Sequence, residues 1–142
     1  MDTVNEKHLE FVENNITRMN QCSFQMKGWM ITIVSALLAI FAATINSEGK
    51  GNNAFIFIAI APTLLFWILD AMYLSLERKF VDIYNILIGV PTKIVIEINN
   101  YEIPVKRIKG WRYCFFNVLC SWSEILLYGL VIAGLVVAGI LL

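Results

Sequence analysis

The stretch from Ala54 to Gly89 constrains this chain more than any other. It carries no charge from Gly51 to Leu69, and a helix needs about 20 apolar residues to cross a bilayer. Beyond that point Leu69, Tyr73, Leu76, Phe80, Ile83 and Leu87 keep a helical spacing until Gly89 and Pro91. One helix is therefore predicted to leave the bilayer and continue as an amphipathic rod, ended by the glycine and proline. Asp70 is the one ionisable group within its apolar part.

Two further runs, Gly28 to Ser47 and Ile125 to Leu142, hold 20 and 18 residues without a charge. A soluble core helix of that length would show a polar face, and these do not. With 58% hydrophobic and 15% charged residues, the composition departs from the roughly 45–50% and 25% of soluble domains. The predicted fold is an all-α membrane protein with three transmembrane helices, at 28–47, 54–76 and 122–142. An N-terminal amphipathic cytoplasmic helix occupies 1–27 and a periplasmic loop 48–53. Residues 77–121 form a cytoplasmic segment with the helix extension, a small β-hairpin or strap, and a basic interfacial stretch.

Ten of the eleven Lys and Arg residues precede Gly28 or fall between Arg78 and Arg112, and only Lys50 lies between the first two runs. Basic loops stay on the cytoplasmic side. This predicts a multi-pass protein of a bacterial inner membrane with a cytoplasmic N-terminus and a periplasmic C-terminus. The first run does not read as a cleavable signal, because 27 residues with several acids precede it, where a signal has a short basic lead. Cys22, Cys114 and Cys120 form no CxxC pair, and on the reducing side of a membrane no disulfide framework is expected.

Thr3 and Glu6 have the form of a capping box. Behind them Leu9, Val12, Ile16, Met19, Ser23 and Met26 repeat at alternating steps of three and four, the period of a narrow seam that wants a partner helix. The partner is either the chain's own second-helix extension or another copy. Lys27, Gly28 and Trp29 mark the entry to the membrane as a snorkelling cation, a flexible residue and an interfacial aromatic. Ser35, Ala39 and Ala43 then place small side chains on one face, which lets a second backbone approach closely. Gly129 with Ala133, and Gly134 with Ala138, do the same in the last run, which is the helix expected to meet another subunit. A homo-oligomer is thus expected, associating through Leu9, Val12, Ile16, Met19, Met26, Gly129, Ala133, Gly134 and Ala138.

Pro62 frees a backbone carbonyl in the second span, and Thr63 offers a hydroxyl to re-satisfy it. Asp70 lies about 10 Å inside the boundary set by Glu77, too deep to face lipid. Thr32 and Ser35 on the antiparallel first span reach a similar level and are the expected donors to it. Glu124 is expected near the headgroups, or as a second buried carboxylate if its helix shifts. Ile94, Ile96 and Ile98 alternate with polar residues before Asn99 and Asn100, the pattern of a hairpin or an extended strap, and Pro104 confines the second arm to an edge. Arg107, Lys109, Trp111 and Arg112, with Lys106 and Tyr113, read as an anchor on anionic lipid, joined by Lys27 and Trp29 at the first span. A nucleic-acid partner would need a larger basic surface and is not expected.

No catalytic set is visible. His8 is the only histidine and is expected on an exposed helix face; no thiol has an activating partner, and no spacing suits a metal or a phosphate loop. The expectation is a protein without cofactor or metal that is not an enzyme.

The strings KHLEFVENNITRMNQCSFQMKGW and FWILDAMYLSLERKFVDIYN resemble a widespread group of small bacterial inner-membrane proteins, mostly without assigned function. The group's signature falls here on Lys7, His8, Leu9, Phe11, Arg18, Met19, Ser23, Phe24, Lys27, Gly28, Trp29, Trp67, Asp70, Tyr73, Glu77 and Arg78. The likeness covers about the first 90 residues. By analogy of size and span number, the chain is similar to transmembrane effectors of anti-phage cassettes of the retron or cyclic-nucleotide type. The leading expectation is therefore an oligomeric membrane effector that perturbs or permeabilises the bilayer on a cytoplasmic cue. Alternatives are a scaffold or regulatory subunit that recruits a cytoplasmic partner or sensor through the 3–26 helix and the 93–106 strap, and a small ion channel or transporter using Asp70.

Overall fold

The fold is seen in a computed structural model, which describes residues 3–46, 51–92, 94, 96–99 and 102–141, the side chains of 3–5 excepted. Lys50, Lys93, Asn100, Leu142 and the side chain of Thr3, each part of an expectation above, lie outside the described residues.

Among the described residues the chain forms five helices, α1 (Thr3–Ala43), α2 (Ala54–Ile58), α3 (Ile60–Leu87), α4 (Phe115–Leu119) and α5 (Trp122–Leu141), with a single 3-10 turn at Trp111–Tyr113. Among the described residues, three helical stretches, within α1, across α2 and α3, and α5, are long and apolar enough to span a bilayer. The chain is a membrane protein. Helix α1 runs without a break through Gly28, and its 41 residues extend about 60 Å at 1.5 Å per residue, twice the hydrocarbon thickness of about 30 Å. Half of it therefore belongs to the span and half to a polar platform.

Between α2 and α3 the helix is interrupted at Ala59. Pro62 has no N–H for the carbonyl of Ile58, four residues back, and its ring crowds that carbonyl. The Thr63 hydroxyl, expected to re-satisfy the freed carbonyl, donates instead to the neighbouring Ala59 carbonyl at 2.8 Å, which also accepts from the Thr63 backbone N–H at 3.4 Å. At the other end, Val90 N donates to Asn85 O at 2.9 Å and Gly89 N to Ile86 O at 3.2 Å. This is the paired C-terminal cap that needs a left-handed residue, supplied by Gly89 at φ +77°.

The seam of α1 faces the chain's own α3. Val12, Ile83 and Ile108 are fully or almost fully buried together, with Ile16, Phe80, Leu87, Ile94, Ile96 and Ile98 against them. Of the seam residues, Val12 is buried in this cluster and Ile16 packs against it, while Met26 packs on the apolar cluster around Met30 and Phe66. Shortening Val12 to alanine is expected to cost about 1–2 kcal/mol, from two lost carbons at roughly 0.8 each plus a small cavity. Unfolding in mixed micelles measures it.

The predicted β-hairpin is corrected: among the described residues there is no strand. Alternation is nevertheless real, since Ile94, Ile96 and Ile98 are half-buried while Glu97 and Asn99 are exposed. Their inward side chains are satisfied by the helical cluster rather than by a facing strand. Pro104 cannot donate to a ladder, and Asn99 and Glu102 close a turn instead, with Glu102 N donating to Asn99 O at 3.0 Å. The result is an extended strap over α1 and α3.

His8 is also corrected: it is buried, with 1% of its surface exposed. It lies four residues before Val12, on the same inward face of α1.

Candidate functional site: an ion triad between three spans

Lys27, Asp70 and Glu124 lie sixteen or seventeen residues from the far ends of their helices, Ala43, Ala54 and Leu141. At 1.5 Å per residue each is about 24 Å from that end, so the three share one depth, just inside the polar boundary. Helical phase brings them together. Ser23, Met30 and Val34 are buried on the face of α1 that carries Lys27; Thr63 and Phe66 share Asp70's face of α3; Tyr128 and Leu135 share Glu124's face of α5.

The Lys27 ammonium donates to Asp70 Oδ2, to Glu124 Oε1 at 3.2 Å and to Ser23 Oγ at 2.9 Å. Tyr128 donates its hydroxyl to Asp70 Oδ2 at 2.9 Å. Both carboxylates are buried, at 0% and 1% exposure, while Lys27 remains partly open. Asp70 Oδ1 and Glu124 Oε2 accept no hydrogen bond among the described residues. One cation thus holds two carboxylates from two other helices, a cross-brace that pins all three spans at one level.

Tyr128 is held in turn. Its ring stacks on Trp67 with centroids 6.0 Å apart and planes 8° from parallel. Trp67 Nε1 donates to the Leu119 carbonyl at 3.2 Å, which ties the stack to the end of α4. Residues Ile125–Gly129 form a π-helical turn. Such a turn holds one extra residue and rotates the helix beyond it, and here it sits in the same helix segment that carries both Glu124 and Tyr128.

Thr32 and Ser35, the expected donors to Asp70, are not its partners. Thr32 donates back to the Gly28 carbonyl at 2.9 Å, and Ser35 is exposed at the rim of a groove against α5. The long Lys27 side chain takes their place. Lys27, expected to snorkel outward, turns inward because two buried carboxylates attract it more strongly than headgroup water. Glu124, placed first near the headgroups, is the second buried carboxylate. Neither Tyr128 nor the Lys27 partnership was singled out from sequence, although equal distance from the helix ends was a usable signal.

The small-residue stripes do not mediate packing within the chain as a set. Ser35, Ala39, Ala43, Ala133 and Gly134 are exposed. The close approach occurs instead at Gly139, where an added Cβ would lie 2.9 Å from Phe57 Cζ.

A second polar cluster lies on the platform. Asp82, 5% exposed, accepts from the Tyr113 hydroxyl and has Arg112 at 3.6 Å. Arg78 donates to the Arg112 carbonyl at 3.2 Å and to Ser121 Oγ at 3.1 Å. Burial first, then the Asp82 hydrogen bond and charge, push the Tyr113 phenol up to about 12. A raised folded-state pKa favours the protonated fold, so this contribution is complete below the ordinary value of 10 and fades as pH rises toward about 12. Tyrosinate absorbance of wild type minus Tyr113→Phe should show one phenol titrating late, together with unfolding. A normal titration near 10 would contradict the buried hydrogen bond.

Of the expected anchors, Trp29 and Trp111 are exposed. Arg107 pairs with Glu102 at 2.8 Å, and Glu102 is held below the ordinary carboxylate range by the Asn99 backbone N–H and then by Arg107. No group of three or more His, Cys, Asp and Glu among the described residues could hold a metal ion. The three cysteines are free thiols.

No protein-family model matches the chain, and no solved structure matches it. Among curated proteins it is similar to a glycerol-3-phosphate acyltransferase of Chlorobium limicola (strain DSM 245 / NBRC 103803 / 6330). The two are 25% identical over 125 residues, which is 87% of this chain and 53% of the relative, so the chain spans about half that protein's length. The relative is named for an enzyme, and the expectation that this chain is not an enzyme is withdrawn on that finding.

Proposed function

We propose that the chain is a multi-pass effector of the bacterial inner membrane that rests with its spans braced and perturbs the bilayer when the brace is released. The observation that carries this reading is the buried triad. Intramembrane ionisable groups are costly and mark functional positions by default, and this one has a single cation serving two carboxylates on three helices. Such an arrangement has a braced and a released form, the two-state element a switch requires.

The distribution of basic residues supports a cytoplasmic platform, where a cue would act on α1, α3 and the strap. The outward small residues of α1 and α5 offer a surface for association between copies. Anti-phage defence is the setting proposed for it, by analogy with small transmembrane effectors. Induced expression beside a membrane-potential dye tests the reading. Depolarisation is expected when the neighbouring genes supply the cue, and without it in Lys27→Met. Unchanged polarisation in both cases, with the protein inserted, removes the reading.

A second reading rests on the acyltransferase likeness: the chain supplies a membrane part of an acyl-transfer enzyme acting on glycerol 3-phosphate. Membranes enriched in the protein would then transfer acyl groups to that acceptor above the host background, and a background rate would count against it.

A further inference from the structure

The platform contains a cavity of about 620 Å³ away from the ion triad, lined on one side by Asp82 and Asn85 of α3 and on the other by the strap and Lys109–Tyr113. We infer from the way its mouth is built that it is a binding site for a phosphate ester.

Both ends of the segment 108–113 are fixed. Ile108 is 1% exposed in the core with Val12 and Ile83, which pins the backbone one residue before Lys109. Tyr113 is held through its hydroxyl by Asp82 and through its carbonyl by Ser75 Oγ at 2.9 Å. Between these anchors Gly110 turns the chain at φ +156°, a conformation that side-chain-bearing residues rarely adopt. The turn presents Lys109, Trp111 and Arg112, all exposed, around one opening. A rim fixed on both sides loses little freedom when a ligand arrives.

Charge selects the ligand. Lys109 and Arg112 face one acid, and Asp82 already has Tyr113 on Oδ2 and Arg112 beside Oδ1. Lys109 makes no ion pair with any described residue. The cavity therefore carries one positive charge in excess, placed where an anion can enter. An ammonium and a guanidinium are the two groups that best hold phosphate oxygens, by charge and by paired N–H donors respectively. The volume lies within the range of about 300–1,000 Å³ typical of small-molecule sites and exceeds what bare phosphate would fill. An organic part beside the phosphate would meet Ile94, Pro91 and the Trp111 indole. The phosphate could belong to a lipid headgroup or to a soluble ester, and both present the same group.

The test uses the full chain in phosphatidylcholine nanodiscs. Phenyl phosphate is titrated in one arm, and phosphatidic acid replaces part of the lipid in the other, with the unfolding midpoint and tryptophan emission as readouts. Binding in either arm should weaken about tenfold in Lys109→Gln, the factor that one charge-assisted hydrogen bond of ordinary strength supplies. Lys109→Arg should bind like wild type. So should Arg107→Gln, whose cation lies on the same segment but pairs with Glu102 outside the cavity. The arm that responds identifies the source. The inference is overturned if Lys109→Gln changes neither arm, or if Arg107→Gln weakens binding as much, because the attraction would then be diffuse surface charge. Lys109 is exposed and outside the ion triad, so failure here leaves the effector reading standing.

Discussion

Replacing Lys27 by methionine is expected to destabilise the protein by about 3–5 kcal/mol, the cost of removing one partner from a buried ion pair. Methionine keeps the length and apolar stem but leaves Asp70 and Glu124 facing each other without their shared cation. Glu124→Gln should behave very differently. It retains the Lys27–Asp70 pair and the possibility of a hydrogen bond to Lys27, and it removes the uncompensated negative charge, so a change within about 1 kcal/mol is expected. Adding Asp70→Asn and Glu124→Gln to Lys27→Met should recover much of the loss, because no buried charge then remains unpaired. Unfolding in mixed detergent micelles gives all three values. Equal losses from Lys27→Met and Glu124→Gln would mean that the site is held by packing rather than by charge.

Gly139→Leu is expected to cost about 1–3 kcal/mol by overpacking. The first added carbon would already stand 2.9 Å from Phe57 Cζ, and the backbone has little room to retreat, since Asn53 Nδ2 donates to the Gly139 carbonyl at 3.2 Å. Phe57→Ala should restore part of the loss, giving a coupling between residues in contact that distant pairs do not show. This contact fixes the end of the bundle opposite the triad. An additive double mutant would place the two helices farther apart than they are.

Much of the architecture was legible because apolar runs longer than a bilayer is thick admit few folds. The three apolar spans, the long rod of α3 and its stop at Gly89 follow from run length and from local rules of hydrogen bonding. The seam of α1 was legible as a seam but not as to its partner, because a stripe of Leu, Val, Ile and Met fits a helix of the same chain or of another equally well. The strap shows a limit of the same kind. Ile94, Ile96 and Ile98 have the period of a strand, yet period says only that alternate side chains are buried, and a helical surface buried them without a ladder.

Asp70 could be placed at membrane depth from sequence, but its partners could not. Thr32 and Ser35 matched its level, and level is only one coordinate; rotation about the helix axis turned them away and brought Lys27 and Tyr128 in. Sequence alone thus determined that three helices span the bilayer and that a carboxylate lies inside it, because transfer free energy depends on residue type and run length. Which side chains meet that carboxylate was decided only by tertiary structure, since the phase of three helices, one of them shifted by a π-helical turn, is set by all their contacts at once.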